Sequence, residues 1–73
     1  MRVYFHIRTA TELILDPDGE EQDGLEAARI EAIACVRELM DDIWRKKSPV
    51  GRQFEITDEA GHVLLVVPFT EAN

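Results

Sequence analysis

Seventy-three residues can hold one core and no second domain, and a chain this short buries only about 60% of its unfolded surface, so a covering partner or second copy is a natural supplement. Fifteen acidic against eight basic residues, a net charge of -7, repel phosphate backbones and disfavour a general nucleic-acid binder; 45% hydrophobic and 32% charged residues exclude a disordered chain. One cysteine excludes an internal disulfide, and no apolar run approaches the roughly 18 residues of a membrane span. With no signal-peptide pattern at the N-terminus, the expected setting is the reducing cytoplasm.

Residues 3–8 alternate, Val3, Phe5 and Ile7 on one face and Tyr4, His6 and Arg8 on the other, which predicts a first strand. After Thr9-Ala10-Thr11, residues 12–16 with Leu13 and Leu15 on one face predict a short second strand and a hairpin. Residues 16–24, DPDGEEQDG, read as a turn followed by a solvated acidic linker. Asp23 and Glu26 have the spacing of a capping box. From there Leu25, Ala28, Ala32, Ile33, Val36, Leu39, Met40, Ile43 and Trp44 fall in an arc of about 160°, one face of a long helix, with Glu31, Glu38, Asp41, Asp42 and Arg45 opposite. Arg45, Lys46 and Lys47 suit a helix C-terminus, and Ser48-Pro49-Val50-Gly51 ends the element. Residues 53–57, a turn at 58–61 and residues 62–69 predict a second hairpin, whose last strand, Val63 to Val67, is apolar on both faces.

The expected fold is therefore α+β, ββαββ, with one long amphipathic helix on a four-stranded, mainly antiparallel sheet, all 73 residues forming a single domain. A right-handed crossover favours strand order 2-1-3-4; order 2-1-4-3 would instead bury the apolar fourth strand at the centre. One helix covers one face of four strands. Tyr4, His6, Leu64 and Val66 are then the candidate interaction surface on the other face, which a homodimer would cover.

No residue pattern specifies catalysis, a cofactor or a metal. Residues 16–23 lack the spacing of a calcium loop and read as a solvated turn. His6 and His62, with Asp58, could act as base, orienter or ligands only if folding brought them together, and otherwise read as sheet-face and surface histidines. Cys35 reads as a packing residue, Trp44 as an anchor of the helix, and the basic cluster Arg45, Lys46, Lys47 and Arg52 as complement to the helix end.

The segments YFHIR, the acidic D-x-D-G turn, the helix start DGLEAARIEA and the closing FEITDEAGHVLLVVPF resemble a family of short alphaproteobacterial proteins known only as a domain of unknown function. The most specific parts are LEAAR-x-EA and the hairpin Asp58, Gly61, Leu64, Val67, Pro68 and Phe69. The resemblance implies a small cytoplasmic bacterial protein and carries no activity, cofactor or site residue. The reading that follows is a non-enzymatic, self-associating interaction or regulatory module acting through the sheet face and the fourth-strand edge. Its alternative is a small-ligand or metal-dependent enzyme using His6, His62 and nearby carboxylates. A third reading, regulation of a nucleic-acid process, would act through a basic protein partner on the acidic helix face.

Overall fold

Period-two alternation carries through the first element of the computed structural model, which describes residues 1–41 and 46–72: β1 spans Arg2–Arg8. There follow β2 (Leu13–Ile14), β3 (Glu20–Glu21), α1 (Leu25–Asp41), β4 (Gln53–Thr57), β5 (Val63–Pro68) and a closing 3₁₀ turn, Phe69–Ala72. The sheet order is β2-β1-β4-β5 with every pairing antiparallel, and β3 lies beside β1 at the end that β2 leaves free. This is the favoured 2-1-3-4 arrangement. The apolar last strand sits at an edge, so the order that would have buried it centrally does not form.

Two local expectations are corrected. The acidic linker contains a fifth strand: Glu20 and Glu21 pair with Val3 and Arg2, and the Gln22 amide donates to the Met1 carbonyl at 2.8 Å. The capping box does not form. Ala28 N–H donates to the Gly24 carbonyl at 3.0 Å, which makes Gly24 the cap residue and places Asp23 one position outside the helix. The predicted extension of the helix through Ile43, Trp44 and Arg45 lies outside the described residues.

The helix docks through its smallest residues. Ala28, Ala32 and Val36, four apart, form the buried stripe that meets Val3, Phe54, Ile56, Val67 and Phe69, none of these eight more than 3% exposed. Short side chains on an i, i+4 row let the helix backbone approach the sheet closely, while the larger Ile33, Leu39 and Met40 flank the seam half-buried. Phe5, Phe54 and Phe69 fill the sheet side, with ring centroids 5.9 Å apart for Phe5–Phe54 and 5.3 Å for Phe54–Phe69. The 3₁₀ turn is fastened to the helix by an Arg29–Glu71 ion pair at 2.8 Å and by Arg37 Nε donating to the Ala72 carbonyl at 3.2 Å. Ala32→Leu should therefore cost about 1–3 kcal/mol by overpacking the seam. Ile30→Ala, at a position 61% exposed, should stay within about 0.5 kcal/mol. Urea unfolding followed by circular dichroism compares the two.

Candidate functional site

Paired residues of a sheet share a face, so the register writes out the side that the helix leaves uncovered. Tyr4, Thr57 and Val63 form one row, His6, Glu55 and Val66 the next, and Arg8, Gln53 and Pro68 the third. Leu13 joins Arg8 on this face. Three of the four expected surface residues, Tyr4, His6 and Val66, are here. Leu64 is not: a bulge opposite Ile56 and Thr57 adds a residue to β5, and Leu64 packs half-buried against the core while Val63, 55% exposed, stands opposite Thr57. The bulge also explains how two consecutive leucines, Leu64 and Leu65, both reach the core side.

The centre of this face is polar and internally bonded. Arg8 Nε meets Glu55 Oε2 at 2.9 Å and Gln53 Nε2 donates to the same oxygen at 3.2 Å; the Arg8 hydrogen bond, against a smaller opposing effect of burial, lowers the Glu55 pKa. His6 is held at both nitrogens. The Asp16 amide donates to Nδ1 at 3.0 Å, which leaves Nε2 as the donor to Thr57 Oγ1 at 3.2 Å. Thr57, only 5% exposed, is thereby satisfied.

Asp16 explains why the edge strand is split into β2 and β3. Its Oδ2 accepts the Phe5 amide at 3.1 Å, supplying the acceptor that a neighbouring strand would have offered, while Oδ1 accepts the Asp18 and Gly19 amides at 3.2 Å each. Burial alone would raise its pKa; the amides of Phe5, Gly19 and Asp18, with His6 nearby, together hold it below the ordinary aspartate value. Gly19 closes the loop at φ +72° with its backbone against Tyr4: a Cβ there would lie 2.8 Å from the ring Cε2. On the other side Asp58 builds the second turn. Its Oδ1 accepts the amides of Ala60 and His62 at 2.9 Å, its Oδ2 meets His62 Nδ1 at 3.1 Å, and Gly61 turns at φ +86°. The His62 amide is the largest cause of the lowered Asp58 pKa.

Between the two turns lies a shallow groove of about 470 Å³. Its floor is Tyr4, His6 and Thr57, the two rings nearly parallel with centroids 6.1 Å apart; one wall is Leu15, Asp16 and Pro17, the other Asp58, Glu59 and Gly61. His62 is not among its lining residues. The two histidines thus serve different turns, and no three His, Cys, Asp or Glu side chains cluster as a metal site among the described residues. Cys35 is half-buried on α1, its thiol donating to Glu31 at 3.3 Å; burial first, then Glu31, push its pKa up to about 12, so it stays protonated. Of the basic cluster, Lys46 and Lys47 are exposed, the Arg52 guanidinium meets the Ser48 carbonyl, and Arg45 lies outside the described residues, as does Trp44.

A model described as Domain of unknown function (DUF6894) matches residues 2–70. The chain belongs to this family. No curated protein and no solved structure matches it. In this DUF6894 chain the distinctive D-x-D-G and D-x-x-G segments are the two carboxylate-built turns that flank the groove. The sequence carries the signal for both turns, an Asp three residues before a Gly; that Asp16 also reaches back to Phe5 depends on tertiary placement.

Gly19→Ala should cost about 1–3 kcal/mol, combining a left-handed backbone with contact against Tyr4. Gly51→Ala, at φ +82° with nothing within 4 Å of the added Cβ, should lose only the smaller backbone part, about 1 kcal/mol. Thermal melts of both variants test this. Asp16 is a depressed carboxylate, so its contribution is present above the unfolded aspartate pKa and disappears as pH falls through the folded value. Stability measured by urea unfolding should fall on acidification through and below the ordinary aspartate range, and Asp16→Asn should flatten that fall while lowering stability at neutral pH.

Proposed function

We propose that this protein is a small non-enzymatic interaction module that self-associates through the edge of β5. The observation that carries this reading is the contrast between the two edges of the sheet. The β2/β3 edge is broken into two-residue pieces, interrupted by Pro17 and Asp16 and closed by Glu20 and Glu21, the devices that keep a strand edge from pairing. The β5 edge is six residues long, Val-Leu-Leu-Val-Val-Pro, with no charged side chain and with Val63 and Val66 at 55% and 40% exposure. An antiparallel pairing of two β5 strands would continue the sheet and satisfy both edges at once. A net charge of -7 opposes association generally, which makes the uncharged edge the favoured contact.

A cytoplasmic bacterial setting belongs to the same reading, supported by the resemblance and by a single cysteine, which can make no internal disulfide. No helix among the described residues is long and apolar enough to cross a membrane. The enzyme alternative draws no support from the geometry, because both nitrogens of His6 are spent on structural hydrogen bonds and His62 is tied to Asp58 outside the groove.

Multi-angle light scattering at tens of micromolar tests the proposal, with a dimer mass expected for the native chain. Val66→Lys, whose ammonium faces Glu55 within its own chain, should keep the fold and yield the monomer mass. A native chain that runs as a monomer throughout would overturn the reading.

A further inference from the structure

We propose that the groove over Tyr4 and His6 is a docking site for an arginine side chain carried on an extended segment of a protein partner. It is a surface separate from the β5 edge. Its floor offers two near-parallel aromatic rings, and Leu15, 64% exposed, forms with Pro17 an apolar wall suited to an aliphatic stem. The opposite wall supplies the charge: Asp58 and Glu59 line it, and no lysine or arginine does. Asp16 and Asp58 are engaged in building their turns, whereas Glu59 is exposed and makes no hydrogen bond or ion pair among the described residues. A guanidinium meets these three features together, since it stacks flat on rings, is weakly hydrated, and donates two parallel hydrogen bonds to one carboxylate; lysine shares the aliphatic stem and the charge, but its compact ammonium neither stacks flat nor makes the two parallel hydrogen bonds. The turns on both sides are fixed by side-chain-to-backbone hydrogen bonds, so binding orders little of this chain.

The test is a ¹H–¹⁵N correlation titration of the full chain with the peptide acetyl-Ser-Gly-Arg-Gly-Ser-amide, alongside the isosteric citrulline peptide. Saturable shifts are expected at the amides of Tyr4, His6, Thr57 and residues 58–61, with citrulline binding about tenfold more weakly because it lacks the charge. Glu59→Gln should weaken binding about fivefold, and Glu38→Gln, on the exposed helix face, should leave it unchanged. Shifts spread along the acidic helix, equal binding of citrulline, or no saturation up to about 10 mM peptide would each overturn the proposal. Light scattering of the native chain, set beside its own peptide titration, separates the two readings. A dimer that gives no peptide shifts sinks this inference alone, and a monomer that binds the peptide sinks the β5 reading alone.

Discussion

The close seam between α1 and the sheet is the contact on which everything else depends. Ala28, Ala32 and Val36 bring the helix down onto Val3, Ile56 and Val67, and among the described residues no second α-helix repeats the contact on the other side. Burial on one face thus dictates that the other face be stabilised by different means. Hydrogen bonds and an ion pair do this at its centre, through Arg8, Glu55, His6 and Thr57, while its apolar residues are pushed to the margins at Leu13, Leu15, Val63 and Val66.

The margins are treated unequally. At one, the backbone leaves the ladder after Ile14, loops through Pro17 and Gly19, and rejoins β1 at Glu20, with the Asp16 carboxylate bridging the interruption. That detour does two things at once. It blunts the edge, and it raises a wall beside Tyr4 and His6. At the other margin the bulge in β5 turns Leu64 inward and leaves Val63 and Val66 outside, so the last strand is committed to the core on one side and, among the described residues, has no neighbouring strand on the other. On the proposed reading the uncharged β5 margin is the direction in which the sheet grows.

The groove is a consequence of aspartates used as turn builders. Asp16 and Asp58 each gather backbone N–H groups onto a carboxylate, and both are held in the charged form to lower pH than a free aspartate. The stable turns keep a negative wall facing an aromatic floor without a side chain having to move.

The sequence by itself determined the α+β class, the apolar stripe of the helix and the placing of Tyr4, His6 and Val66 on one face, and it favoured the observed order of the four main strands over one alternative, because periodicity and crossover handedness act locally along the chain. Only the tertiary structure decided what depended on long-range hydrogen bonds. Glu20 and Glu21 look like solvated linker and become a strand because Asp16 reaches eleven residues back to Phe5. Gly24 rather than Asp23 caps the helix once that strand fixes the chain's approach. Leu64 leaves the open face because one extra residue in β5 shifts the pleat, and a period-two pattern does not reveal where the count slips.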